Sequence, residues 1–199
     1  MREHLARSFF ERPPDEVAHD LIGAHMVVRH GDHLTTVRIV ETEAYGGEDD
    51  PASHAYRGRT ARNAAMFGPP GHLYVYRIYG LHWCMNVVTQ AEEVASAVLL
   101  RGAELVDVGS ADTLRHRPES LRGPGRLSKY LDVSGDDDGL DSCSTLSRVR
   151  FLASDSRDRD VRTSPRIGIS RARERVSRYY LEGSPGLSHA RALPSRGDE

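Results

Sequence analysis

The sequence predicts one mixed α/β domain of the α+β type, with mostly antiparallel strands joined by hairpins. Three observations predict it. A chain of 199 residues suits a single domain with a proper core. Its 38% hydrophobic and 28% charged residues are the mixture of an ordinary globular protein. Short apolar or alternating runs bounded by Gly, Pro, Asn and Asp recur along the chain, and only two segments carry helix starts.

The elements follow in order. Pro13-Pro14-Asp15-Glu16 opens a short helix with Val17, Ala18, Leu21 and Ile22 on one side, and Gly23 ends it. Residues 24–29 form a strand, His30-Gly31-Asp32-His33 a turn, and residues 34–43 a second strand. Residues 46–70 are polar and rich in Gly, Pro and Arg; so long a connector in a compact domain is usually functional. A strand over 72–79, a tight turn at Gly80-Leu81 and a partner over 82–89 make a hairpin, and 96–101 is a further apolar strand. Gly123-Pro124-Gly125 leads into a helix over 126–131. Residues 134–145 read as a mobile, solvated linker, since Asp136-Asp137-Asp138-Gly139 lacks the spacing and terminal Glu of a calcium loop. Residues 146–152, 166–169 and 178–181 read as late strands. From Ser184 the composition is that of a flexible end. The domain is therefore expected over 1–185 and a tail over 186–199.

Several classes are excluded. No run of about 18 apolar residues exists, so no membrane span is expected. The N-terminus lacks a charged head followed by an apolar stretch, so no secretory signal is expected. Two cysteines, Cys84 and Cys143, make neither a disulfide framework nor a cysteine-only zinc site. An intracellular location, cytoplasm or nucleoid, fits. The net charge of -2 does not advertise a nucleic-acid binder. Local charge says more: residues 54–91 carry Arg57, Arg59, Arg62 and Arg77 and no acid, and 148–178 are also rich in arginine. One surface could be basic while the whole is near neutral. A salt-bridged, solvated face explains the same arginines, and from charge alone it is the better reading. Lys129 is the only lysine, so covalent amine catalysis would need it or the N-terminal amine.

Alternation along the second strand puts Val37, Ile39, Glu41, Glu43 and Tyr45 on one side if the strand stays regular; along 96–101 it puts Ala97, Leu99 and Arg101 together. A half-buried carboxylate and a half-buried guanidinium need partners, and Glu43 with Arg101 is the simplest pairing. From position alone, a structural ion pair accounts for them as well as catalysis does. Tyr79 differs from the other tyrosines of 72–80 because it stands at a hairpin tip, where it suits insertion into a partner, stacked bases included. His54 follows Glu48-Asp49-Asp50, but consecutive loop carboxylates are poor metal ligands, and a solvated acidic loop is the better reading. The Gly123-Pro124-Gly125-Arg126 helix start could hold a phosphate, as many helix starts could.

Taken together, these residues match a family. Val40-Glu41-Thr42-Glu43-Ala44-Tyr45, Ser53-His54, Arg62-Asn63-Ala64-Ala65-Met66-Phe67, Pro70-Gly71-His72-Leu73-Tyr74-Val75-Tyr76, Ile78-Tyr79-Gly80 and Cys84-Met85-Asn86 follow one another as in alkyladenine (3-methyladenine) DNA glycosylases. Ala97-Val98-Leu99-Leu100-Arg101-Gly102, Gly123-Pro124-Gly125-Arg126-Leu127, Arg166-Ile167-Gly168-Ile169 and Tyr179-Tyr180-Leu181-Glu182-Gly183-Ser184-Pro185 continue the match, which spans about Phe9 to Pro185. The resemblance implies a single domain on a curved, mainly antiparallel sheet with flanking helices and a protruding hairpin. It implies a monomer that flips alkylated or deaminated purines out of duplex DNA and hydrolyses the glycosidic bond, leaving an abasic site, with neither cofactor nor metal. It further implies Glu43 as the base that deprotonates water and Arg101 as the group that orients both. Tyr45, His54 and Tyr76 would sandwich the base, Asn86 would discriminate against guanine, and Tyr79 would fill the gap in the duplex. Arg62, Arg77, Gly125 and Arg126 would meet the DNA backbone. No catalytic role is expected for Glu41. Two departures, the weakly basic stretch at Ala64-Ala65 and Arg126 where relatives often have Lys, imply differently tuned backbone contacts. The competing readings are a metal-dependent nuclease using Glu41, Glu43, Asp49 and His54, and a non-catalytic module that senses damage.

Overall fold

The computed structural model describes residues 2–107, 121–155 and 160–188. Most of the expected tail, residues 189–199, lies outside them. The helices are α1 (Arg7–Phe10), α2 (Pro14–Leu21) and α3 (Pro124–Tyr130). The strands are β1 (His25–His30), β2 (His33–Tyr45), β3 (Leu73–Ile78), β4 (His82–Thr89), β5 (Ser96–Asp107), β6 (Val149–Leu152), β7 (Val161–Ser164) and β8 (Arg178–Leu181). All pair antiparallel in one curved sheet of order β3-β4-β5-β2-β1-β6, with β8 on β2 and β7 on β8. This is the mixed, single-domain architecture the sequence predicts. α1, β7 and the last six residues of β5 are additions to the sequence reading.

β2 is the spine. Its first half pairs with β1, its second half with β8, and its other edge with β5 throughout. The register with β5 slips on both sides of Glu41, where Ile39 faces Ala103 and Glu41 faces Gly102. An extra residue in one strand is a β-bulge, and it re-aims the side chains beyond it. Val37 and Ile39 lie in the main core together with Ala44, and the Thr42 hydroxyl donates to the Ala18 carbonyl of α2 at 2.8 Å. Core-facing positions therefore change parity across the bulge. The expectation that Val37, Ile39, Glu41, Glu43 and Tyr45 share one side is corrected: Glu41, Glu43 and Tyr45 turn away from the core that takes Val37 and Ile39. The chain thus places two carboxylates on a face of their own.

Two further expectations change. Residues 134–145 are not solvated linker. Asp137 is buried and paired with Arg148 at 2.6 Å, Asp138 accepts the Val75 N–H at 2.8 Å, and the Leu73 N–H reaches the Leu140 carbonyl at 2.9 Å. The physical reason is that β3 is an edge strand, and its open N–H and C=O groups need partners. Residues 166–169 are not a strand but an open segment that passes the end of β2. Residues 186–188, assigned by the sequence reading to the tail, pack against β2 and β5.

The main core joins α1, α2 and α3 to the sheet through side chains such as Phe10, Leu21, Met26, Leu100, Leu127 and Phe151. Burying each such side chain contributes roughly 1.5–3 kcal/mol. A smaller cluster of Ala55, Met66, Phe67, Tyr74, Val88, Ala95 and Ala97 underlies the long 46–70 connector. The connector is thereby held as a fixed wall beside the hairpin β3–β4.

Candidate active site

The bulged half of β2 directs Glu43 behind a pocket of about 680 Å³, against Tyr45, Arg101 and Ile167, which line it. Glu43 is fully buried. Its Oε1 accepts the Ile167 N–H at 2.6 Å, and its Oε2 accepts the Tyr45 hydroxyl at 2.8 Å and Arg101 Nη1 at 3.3 Å. A carboxylate offers about four acceptor positions, so three donors leave one for water. Burial raises the Glu43 carboxyl above its ordinary value; Arg101, the Ile167 N–H and Tyr45 oppose that rise, and the Glu41 charge adds to it. The open segment 166–169 supplies that N–H because it is not engaged in a strand ladder.

Arg101 comes from β5, opposite the bulge. Its Nε donates to Glu41 Oε1 at 3.1 Å, so it bridges two carboxylates. The pairing of Glu43 with Arg101 expected from the two strands is present, with Glu41 as a third member. Arg178 of β8 donates to Glu41 Oε1 at 2.7 Å. Burial would raise Glu41, but Arg101, Arg178 and Ser188 outweigh it and hold its carboxyl below the usual range.

The pocket walls are aromatic. His54 and Tyr76 meet at 4.5 Å between ring centroids, and Tyr45 lines the same pocket beneath the Arg166 guanidinium, which sits 4.6 Å above its ring. The Tyr74 hydroxyl lies 2.9 Å from His54 Nδ1. Burial, helped by Arg62, lowers the His54 pKa, so its ring is neutral at pH 7. Burial raises Tyr76 and Tyr45, which stay protonated. Asn86 is buried at the pocket with Nδ2 donating to the Tyr74 carbonyl at 2.9 Å, which fixes its amide. The structure thus brings together Glu43, Arg101, Tyr45, His54, Tyr76 and Asn86.

Tyr79 stands at the pocket mouth, 85% exposed, at the hairpin tip. Tyr79 and Gly80 both have positive φ, at 53° and 68°, the sign pattern of a type I′ hairpin turn. A bulky residue there carries a backbone strain of about 1 kcal/mol. Asn is far better tolerated in that conformation. Tyr79→Asn is therefore expected to leave the melting temperature unchanged or raise it slightly, while excision from duplex DNA falls. A variant that loses stability would contradict the strain argument. Arg62 and Arg77 flank the hairpin: Arg62 Nη2 donates to the Arg77 carbonyl at 3.2 Å, and Arg77 lies over the Trp83 ring. Gly125 has a packing duty, since a Cβ there would approach His82 Cβ within 2.9 Å. α3 therefore braces the hairpin close to its tip, with Arg126 on its exposed side.

Sequence reasoning missed Asp50 and Arg166 as a pair. Both side chains are fully buried, and Arg166 Nη2 donates to Asp50 Oδ1 at 2.8 Å. In the sequence Asp50 belongs to a solvated acidic loop, and only contact across 116 residues reveals its partner. Among the described residues, no three His, Cys, Asp or Glu side chains group so as to hold a metal ion. Among them too, no helix is long and apolar enough to cross a membrane.

A pocket lined by Tyr45, His54 and Tyr76, with the buried Glu43 carboxylate bonded to its walls, has the shape and chemistry to take a flat heterocycle beside an acid–base group. The comparisons narrow that reading. A sequence model of the family described as Methylpurine-DNA glycosylase (MPG) matches residues 8–185. Proteins called "Putative 3-methyladenine DNA glycosylase" are similar over nearly their whole lengths. The one from Streptomyces avermitilis is 42% identical over 203 residues, covering 98% of this chain and 95% of the relative. That from Koribacter versatilis is 42% identical over 197 residues, 95% of each chain. That from Methanoculleus marisnigri is 43% identical over 191 residues, 92% of this chain and 98% of the relative. The chain belongs to the methylpurine-DNA glycosylase family. It is a DNA repair hydrolase that cleaves the N-glycosyl bond of DNA.

Proposed function

We propose that this chain excises 3-methyladenine and related alkylated or deaminated purines from double-stranded DNA, as a monomer, by flipping the nucleotide and hydrolysing its glycosidic bond. The observation that carries the proposal is Glu43: a buried carboxylate with one acceptor position left, bonded to Tyr45, Arg101 and Ile167, which line an aromatic pocket.

The chemistry follows from the residues. Extruding a stacked base costs a few kcal/mol. Tyr79 enters the duplex and restores part of the lost stacking. Arg62, Arg77, Gly125 and Arg126 meet the phosphate backbone. Tyr45, His54 and Tyr76 then stack on the flipped base, at roughly 1–3 kcal/mol per contact. Alkylated purines are electron-poor or cationic, and aromatic faces favour them over normal bases. Asn86 rejects guanine. As the glycosidic bond breaks, positive charge develops on the sugar, and the Glu43 carboxylate stabilises it. Glu43 takes a proton from the water that attacks the sugar carbon, and the bond's electron pair leaves with the purine. Arg101 orients Glu43 and that water. The product is a free purine and an abasic site in an uncut strand. Strand cleavage would need an amine, and Lys129 is exposed and does not line the pocket.

Glu43 works only when ionised, and burial raises its pKa above the ordinary 4.5. The single-turnover rate is therefore expected to rise with pH along an acid limb lying above that value. A limb at or below the ordinary glutamate range would contradict the assignment. The function is tested by incubating the protein in EDTA with duplexes that carry 3-methyladenine, 7-methylguanine, hypoxanthine or ethenoadenine, and assaying free bases. Release of a free purine supports the proposal; release from none of them defeats it.

A further inference from the structure

The mechanism leaves the buried carboxylate beside Glu43 and Arg101, that of Glu41, without a task. Glu41 receives four hydrogen bonds. Arg101 Nε, Arg178 Nε and the Ser188 hydroxyl reach Oε1 at 3.1, 2.7 and 2.7 Å, and the Ser188 N–H reaches Oε2 at 2.6 Å. Ser188 ends a strap, residues 184–188, that is tied down along its length. The Ser184 hydroxyl donates to Glu104 and Arg122 Nε donates to the Pro185 carbonyl, both at 2.5 Å. Gly186 lies flat on β5: a Cβ at Gly186 would collide with the Ala103 carbonyl, and one at Gly102 with the Gly186 carbonyl. This close approach puts the Ser188 hydroxyl between Glu41 and Arg101, whose Nη2 donates to it at 3.3 Å.

Each guanidinium nitrogen of Arg101 thus has a different partner: Nε has Glu41, Nη1 has Glu43 and Nη2 has Ser188. Three separate anchors fix the plane of a rigid fork. We infer that Glu41 and Ser188 are positioning residues, and that the C-terminal strap is the back wall of the active site, setting the Arg101 guanidinium so that Nη1 meets Glu43. Without them Arg101 keeps one anchor and pivots. The inference rests on the reading of Glu43 as the base.

The charge balance supplies a signature. Glu43 faces Glu41 and Tyr45 from β2, Arg101 from β5, Tyr76 and Cys84 from the hairpin, and Arg166 from the segment before β8. Arg178 of β8 reaches the cluster through Glu41. Tyr45, Tyr76 and Cys84 are all shifted upward by burial and stay neutral. Glu41 is the one charge that pushes the Glu43 carboxyl up, alongside its burial. Removing it leaves the Arg101 charge to Glu43 alone, so the acid limb moves to lower pH. The limb shift reads the Glu41 charge at Glu43, and the loss of plateau rate reads the setting of Arg101.

The test uses the full chain as wild type, Glu41→Gln, Ser188→Ala, Ser188→Thr and Glu43→Gln. It measures single-turnover excision against pH, affinity for a duplex with an uncleavable abasic analogue, and melting temperature. Misplacing a catalytic group by about 1 Å lowers rates on the order of 100-fold. Glu41→Gln is expected near that loss and Ser188→Ala at about 10-fold, both with unchanged affinity. Ser188→Thr should recover most of the rate, and Glu41→Gln should shift its acid limb downward. If Glu41→Gln melts below the assay temperature, Ser188→Ala decides. Wild-type plateau rates in folded variants, whether or not the limb moves, with Glu43→Gln inactive, overturn the positioning role alone; so does a rate loss matched by lost affinity. An active Glu43→Gln overturns the base assignment instead.

Discussion

Replacing Glu43 by glutamine is expected to lower single-turnover excision about 10²–10⁴-fold, the usual contribution of a general base. Glutamine keeps the length of the side chain and its acceptor oxygen. Tyr45 or the Ile167 N–H retains a partner, and Arg101 keeps Glu41 and Ser188. What is lost is the negative charge beside the developing sugar cation and the place for the water's proton. The variant also sheds a carboxylate whose burial raises its pKa, so its melting temperature should fall by no more than a few degrees. Affinity for lesion-bearing duplex should persist, since Tyr79 and the aromatic walls are untouched. A variant that excises at the wild-type rate would remove Glu43 from the mechanism.

The second large effect is on stability. Asp50→Ala leaves Arg166 buried without its carboxylate, and strips the Gly46 and Ala52 N–H groups of an acceptor held at 3.0 and 3.1 Å. Breaking one half of a buried ion pair costs about 3–5 kcal/mol. For a chain of this size each kcal/mol corresponds to roughly 2–4 °C in melting temperature. Activity should fall as well, because Arg166 backs the Tyr45 wall at 4.6 Å. Burial raises Asp50, but Arg166 and two backbone donors outweigh it and hold its carboxyl below the ordinary 3.8. A depressed folded-state pKa contributes stability that is complete above the unfolded value and is lost as pH falls through the folded one. The gap between wild type and variant should therefore narrow below about pH 3.8. Urea denaturation that finds a loss under about 1 kcal/mol would contradict this account.

Much of the site was legible because it depends on local pattern. The hairpin was readable from Gly80 between two alternating runs, and with it the exposed tip at Tyr79. Glu43 and Arg101 were readable as charged ends of apolar strands that could satisfy each other. What stayed hidden depends on contacts far apart in sequence. A bulge at Glu41 changes which face of β2 meets the core, and a strict two-residue period cannot register it. Glu41 and Glu43 still share a face, because both follow the extra residue that β2 carries between Ile39 and Glu41. Asp50 sits among acids that are exposed in sequence terms, and only Arg166 makes its burial tolerable. Residues 134–145 carry aspartates that look solvated until the open edge of β3 claims them. Ser188 lies in a stretch of tail-like composition, and its value comes from two glycines that let the strap reach Glu41.

The most direct test places wild type and Glu43→Gln under single-turnover conditions with a duplex carrying one 3-methyladenine, reading the base and the strand from the same sample. The account predicts free 3-methyladenine from the wild type, a strand that breaks only after alkali, and neither product from Glu43→Gln. Absence of free base with the wild type, or strand cleavage without alkali that disappears in Lys129→Ala, would contradict it.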